Sequence, residues 1–148
     1  TCFGLKDEHL VVVLSNLVDN AIEACEKITD DKSKKITLVM KVEEESSFLY
    51  IENTTAFPVK VLDNQVVLPS KRSEEHGYGL KNVAAILNRY KAVFAIAYKE
   101  DSSLFCFSAQ IPETLSYAYT DLTAQIANLT AKSTYSSKNV LYTVQREV

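Results

Sequence analysis

Basic residues never gather into a long run in this chain, and 16 Lys and Arg against 19 Asp and Glu leave a net charge of −3. Binding nucleic acid without regard to sequence needs a positive footprint, so the composition argues against that class. No apolar stretch is long enough to span a bilayer and no signal peptide opens the sequence. Cysteine is scarce: Cys2, Cys25 and Cys106 lie far apart, without the spacing of metal ligands. An odd, scattered set fits buried thiols in a reducing compartment better than a disulfide framework. Glycine is equally scarce, and of only three glycines two fall at positions 77 and 79.

What is present is ordinary for a globular domain: 148 residues, 47% hydrophobic and 24% charged. That length suggests one domain with a sizeable core. The first residue is Thr rather than Met, as expected of a piece of a longer protein. Residues 8–28 carry Leu10, Val13, Leu14, Leu17, Val18, Ala21, Ala24, Cys25 and Ile28 at helical spacing. "TDDKSKK" is a polar loop, and "ITLVMKV" (36–42) and "SFLYIEN" (47–53) are β-rich runs forming a hairpin. Residues 54–77 are irregular, with Pro58, Pro69 and the charged stretch "SKRSEEHG". "GYGLKNVAAILNRY" (77–90) returns to helical period, and "AVFAIAYKE" and "SLFCFSAQIP" are two more strands around "EDSS". The pattern predicts an α+β fold, with helices on one face of a mostly antiparallel sheet. The tail from Glu113 is rich in Ser, Thr and Tyr; Tyr119, Leu122, Ile126 and Leu129 make a thin helical stripe, and "NVLYTV" suggests a further strand. The "NLT" sequon at Asn128 carries little weight in a chain expected inside the cell.

Two patterns carry chemistry. The first is the run "LSNLVDNAIEAC", where Asn16 and Asn20 interrupt an apolar helix. At 100° per residue, Glu8, Ser15, Asp19 and Glu26 face water, while Asn16, Asn20, Glu23 and Lys27 form one stripe along the border of the apolar arc. A border stripe is half sheltered: it can meet a ligand, or it can be a polar flank with ordinary surface hydrogen bonds. The second is "HGYGLKN" (76–82), in which Gly77 and Gly79 flank one residue just before a helix. Glycine lets backbone approach a ligand closely, and the unpaired amides of a helix start suit phosphate. The same glycines also fit a plain tight turn into a helix.

Together and in this order, the motifs resemble the nucleotide-binding domain shared by gyrase, the ninety-kilodalton heat-shock chaperone, histidine kinases and mismatch-repair ATPases, the GHKL family with its Bergerat fold. "NLVDNAIEA" resembles the asparagine box, "GYGL" the second glycine box, and "IENT" stands in place of the first glycine box. The combination of "NAIEAC", a lid ending near "SK" and "HGYGLKN" is most similar to the catalytic domain of sensor histidine kinases of the quorum-sensing-receptor type. The resemblance covers roughly residues 8–112. It implies a two-layer α/β sandwich, a catalytic domain over 1–112 and a C-terminal extension of unknown role over 113–148.

By the same resemblance the ligands are ATP and Mg²⁺. Asn20 matches the magnesium ligand, one neutral carbonyl sufficing beside phosphates because Mg²⁺ keeps several of its waters. Asn16 matches the position where hydrolytic members keep a glutamate base, and a neutral amide cannot take a proton from water. Gly77, Tyr78, Gly79 and Leu80 match the phosphate-holding glycine box. Ser70, Lys71, Arg72 and His76 fall in the lid, where cations such as Lys71 neutralise charge as the γ-phosphoryl leaves; a solvated loop would look the same. Asn53 occupies the place of the aspartate that accepts from adenine, and is followed by Thr54 and Thr55 rather than glycines. Glu23 stands where many kinases have a basic residue, with Lys27 one turn on to offset it, and "YKAV" replaces the usual glycines after the second helix.

The resemblance implies a kinase transferring the γ-phosphoryl group to a histidine on a separate dimerisation domain, and onward to a response regulator. The location implied is the cytoplasmic part of a membrane receptor. Neither His9 nor His76 has the helical-hairpin context of a phosphoacceptor, so the substrate histidine is expected on another part of the parent protein. Two alternatives remain at this level: a degenerate module kept for protein contacts, motivated by Asn53 and Glu23, and a hydrolytic ATPase, against which Asn16 argues.

Overall fold

A computed structural model describes residues 3–67, 78–113 and 140–147; for Tyr78 and for 140–147 it describes the backbone alone. Helix α1 spans Asp7–Glu26, with Asp7 and Glu8 in its first turn, where negative charge favours the helix dipole. Its buried residues, Val13, Leu17, Ala21 and Cys25, repeat every four positions and give one continuous apolar stripe. Glu8, Ser15, Asp19 and Glu26 are exposed, as the helical wheel predicts.

Strands β1 (Lys35–Val42) and β2 (Ser46–Thr54) form the expected hairpin, with Leu38 opposite Ile51. A short hairpin follows, β3 (Val61–Leu62) and β4 (Gln65–Val66), then α2 (Tyr78–Arg89), β5 (Val93–Lys99), β6 (Leu104–Pro112) and β7 (Val140–Glu147). The main sheet runs β5-β6-β2-β1-β7, and every ladder in it is antiparallel. The strand expected from "NVLYTV" is therefore present, extended to Glu147, and it adds to the β1 edge. The stripe through Tyr119 and Leu129 lies outside the described residues.

One face of the sheet carries both helices. Leu38, Met40, Leu49, Ile51, Phe107, Ala109 and Ile111 pack there with Val13, Leu17, Val83 and Leu87. Burying each large apolar side chain contributes about 2 kcal/mol, so this layer dominates the stability. The opposite face is also buried, around Val39, Phe48, Tyr50 and Cys106. There the Tyr50 hydroxyl donates to the Glu52 carboxylate and lies 3.6 Å from Cys106 Sγ. Burial pushes both the Tyr50 phenol and the Cys106 thiol above their ordinary ranges.

The β3–β4 hairpin turns at Asp63 and Asn64, both with positive φ (50° and 57°), the conformation that asparagine and aspartate tolerate best. The Asn64 amide then acts as a surrogate strand: Nδ2 donates to Phe94 O at 2.9 Å and Oδ1 accepts from Ile96 N at 2.7 Å. This satisfies backbone groups on β5, an edge strand, and blunts that edge.

Candidate functional site

The two helices lie side by side and antiparallel on the sheet. Gly79, in the first turn of α2, faces the middle of α1: a methyl group added there would sit 3.1 Å from Asn16 Oδ1 and 3.5 Å from both amide atoms of Asn20. The asparagine stripe and the glycine-flanked helix start, 59 to 63 residues apart in sequence, thus meet in space. Glycine is required by proximity here rather than by backbone conformation, since any side chain would enter the space beside the two amides.

Asn16 is held in place by its own helix. Its Nδ2 donates to Val12 O at 2.8 Å, one turn back, and so its Oδ1 points toward α2. Asn20 makes no side-chain hydrogen bond among the described residues, which leaves its amide available to a ligand. Both asparagines are half-buried, whereas Glu23 and Lys27, further along the stripe, are exposed. Leu80 is half-buried and packs on the core beside Val83.

Asn53 is 4% exposed, near the end of β2 on the helix-bearing side, in register with Leu49 and Ile51. Its Nδ2 donates to Thr54 O at 3.0 Å, so that its Oδ1 is the group left to accept. Thr54 ties this strand end to α1: its Oγ1 accepts from Lys35 N at 3.0 Å and lies 3.7 Å from Cys25 Sγ. Asn53 therefore sits next to the junction of Thr54 with Cys25, which lies in the last turn of α1. No described contact joins it to Asn20 or Gly79. Ser70, Lys71, Arg72, His76 and Gly77 lie outside the described residues, as does the side chain of Tyr78.

At the far end, α2 stops in a Schellman turn. Lys91 takes φ 54°, Ala92 N donates to Leu87 O at 3.0 Å and Lys91 N to Asn88 O at 3.1 Å. The apolar pair that accompanies this turn, buried Leu87 and Ala92, is also present. A separate cleft of about 340 Å³, walled by Phe57, Tyr98, Lys32 and Glu100, opens at the strand ends and includes none of the asparagines or Gly79.

The family model for the GHKL domain matches residues 5–112. The chain belongs to the GHKL family. Comparison with curated proteins finds none that matches. The α+β layering fits the Bergerat fold of these domains, and the matched stretch contains α1, Gly79 and Asn53. Membership makes the chain an ATPase-type domain of a family that binds ATP with Mg²⁺. Among the described residues no three His, Cys, Asp or Glu side chains gather to hold a metal. Among the described residues the Asn20 side-chain carbonyl has no hydrogen-bond partner, and a neutral oxygen of that kind fits an oxygen-seeking ion. No described helix is long and apolar enough to cross a membrane.

Three cross-links were not legible in the sequence: the Asn64 lock, the Thr54–Cys25 junction, and a hydroxyl tie between His9 and Tyr90. Only the first had a signal, the pair Asp63–Asn64 between valines.

Proposed function

We propose that this chain is the ATP-binding catalytic domain of a sensor histidine kinase, of the quorum-sensing-receptor type. Residues 1–112 carry the catalytic function, and 113–148 extend the fold by β7. The observation that supports the reading is the meeting of Asn16, Asn20 and Gly79 at the start of α2. Asn20 would hold Mg²⁺, whose charge, when it is bound, offsets that of the phosphates. The first-turn amides of α2, with Gly77, Tyr78, Gly79 and Leu80, hold phosphate oxygens. The Asn53 carbonyl accepts from the adenine amino group. Ser70, Lys71, Arg72 and His76 supply polar and cationic groups from the lid, with Lys27 as a further cation at the end of α1. Asn16 cannot act as a base, so water is not activated and the γ-phosphoryl group is kept for a histidine. That histidine belongs to a dimerisation domain of the same parent protein, a cytoplasmic part of a membrane receptor, and a response regulator takes the phosphoryl group next.

Isothermal titration with a non-hydrolysable ATP analogue and Mg²⁺ tests this. Saturable binding by wild type, weakened about tenfold or more in Asn20→Ala, is expected. No binding at millimolar ligand, or undiminished binding by Asn20→Ala, refutes it. No binding by wild type, together with no rise in melting temperature on adding ATP, would instead identify a module retained for protein contacts.

A further inference from the structure

We propose that Tyr90 is a positioning residue of the nucleotide cleft, holding α2 at the axial setting that places Gly79 against Asn16 and Asn20. The proposal deepens the nucleotide-binding reading and rests on it for its consequence, though not for its geometry.

Tyr90 follows the last residue of α2, and its hydroxyl makes two contacts with the start of α1. It is hydrogen-bonded to His9 Nδ1 at 2.6 Å and accepts from Lys6 N at 3.2 Å. The two rings meet edge to face, centroids 5.6 Å apart at 76°. Glu8 Oε1, 4.0 Å from His9 Nε2, lies on the other side of the imidazole and suits a proton there, which leaves Nδ1 to accept. The hydroxyl is thus saturated by partners 81 and 84 residues away in sequence.

The spacing gives this tie its consequence. Gly79 and Tyr90 are eleven positions apart, about 16 Å of helix, and Asn16 and Asn20 lie seven and eleven positions beyond His9, about 10 and 16 Å. The antiparallel helices thus touch at two stations: phenol and imidazole at one end, glycine and amides at the other. Between them the contact is apolar, Val83 and Leu87 against Val13 and Leu17. Apolar packing fixes the distance between two helices but is non-directional and tolerates sliding. A hydrogen bond is directional and does not. At Gly79 the tolerance is small, because the site there is already within 3.1 Å of Asn16 Oδ1. The Schellman turn completes the device: by fixing the backbone at Lys91 and Ala92 it fixes where the Tyr90 ring points.

The test compares wild type, Tyr90→Phe, His9→Ala and His9→Asn in the full chain, by two readouts. The first is the amide resonance of Gly79 and the side-chain amide resonances of Asn16 and Asn20. The second is affinity for the non-hydrolysable ATP analogue with Mg²⁺. Tyr90→Phe and His9→Ala are expected to shift those resonances and weaken the analogue ~3- to 10-fold, the scale of one lost hydrogen bond. His9→Asn, which keeps an acceptor near the Nδ1 position, is expected to restore both toward wild type. A purely structural role would lower the melting temperature while leaving the Gly79, Asn16 and Asn20 signals in place, and that overturns the proposal. So does a resonance shift with affinity within twofold of wild type. Should wild type itself fail to bind the analogue, the nucleotide reading falls, and unmoved resonances in Tyr90→Phe would overturn the positioning role separately. If Tyr90→Phe fails to fold, His9→Ala and its Asn counterpart carry the same comparison.

Discussion

Replacing Gly79 by alanine separates stability from ligand binding. Two effects on stability oppose each other. Alanine is the better helix former by up to about 1 kcal/mol, although Gly79 lies in the first turn, where the gain is smaller. Against this, the new methyl meets Asn16 Oδ1 at 3.1 Å, a distance that requires the amide to yield by a few tenths of an ångström. Asn16 is not free to swing, since its Nδ2 is bonded to Val12 O at 2.8 Å. Losing that bond outright costs about 1 kcal/mol. The sum lies near zero, so thermal and denaturant unfolding should stay within ~1 kcal/mol of wild type. Binding has no such compensation. The methyl presses on the two amides beside the helix start, and affinity for a non-hydrolysable ATP analogue with Mg²⁺ should fall at least tenfold, about 1.4 kcal/mol. Calorimetric titration and melting on the same preparation measure both. Unchanged affinity would mean that the ligand does not engage the asparagines and helix start that meet at Gly79. A loss of stability beyond ~2 kcal/mol would mean that Gly79 is a packing residue and that the binding loss is secondary.

Two further predictions concern backbone strain. Lys91 pays the left-handed penalty of about 1 kcal/mol at the end of α2, so Lys91→Gly should raise the unfolding free energy by roughly 0.5 kcal/mol, read as a higher denaturation midpoint with an unchanged slope; a fall would show that the lysine side chain matters more than its φ of 54°. Gly4 has φ 69° and its added methyl would lie 2.8 Å from Ile111 Cγ2, so Gly4→Ala should destabilise by about 2 kcal/mol in chemical unfolding, and a neutral result would show that the segment before α1 is not anchored on β6.

Periodicity decides which parts of this fold are legible in the sequence. The four-residue repeat of Val13, Leu17, Ala21 and Cys25 gives α1 within two residues at each end; of the border stripe, Asn16 and Asn20 emerge as half-buried, whereas Glu23 and Lys27, beyond the start of α2, are exposed. Strands β1, β2, β5 and β6 are legible because each is a long apolar run between charged turns. The β3–β4 hairpin is not, since two-residue strands carry no period and its stability comes from the side chain of Asn64 bonding to a strand 30 residues on. The end of α2 is legible within one residue from the end of the helical period at residue 90, but the turn that closes it is not: "YKAV" lacks the glycine that usually marks a Schellman turn, yet Lys91 adopts the left-handed conformation because the buried Leu87–Ala92 pair and two hydrogen bonds offset the strain. The His9–Tyr90 tie leaves no trace in sequence, because a pairing 81 residues apart has no local signature.

The candidate site also shows why an amide at position 16 is more than a missing base. A carboxylate there could not donate to Val12 O, so the back-bond that turns Oδ1 toward Gly79 depends on the amide nitrogen. A carboxylate would also place a negative charge about 3 Å from the space beside the α2 start, where the unpaired amides of a helix N-terminus favour an anionic ligand. A second neutral acceptor stands at Asn53, whose Nδ2 is committed to Thr54 O and whose Oδ1 is left to accept. Under the proposed reading, the amides of Asn16, Asn20 and Asn53 give a site that binds ATP through oriented neutral dipoles and has no group at position 16 to deprotonate water. A hydrolase needs that group; a transferase whose acceptor arrives on another domain is harmed by it, because every water activated is a phosphoryl group lost.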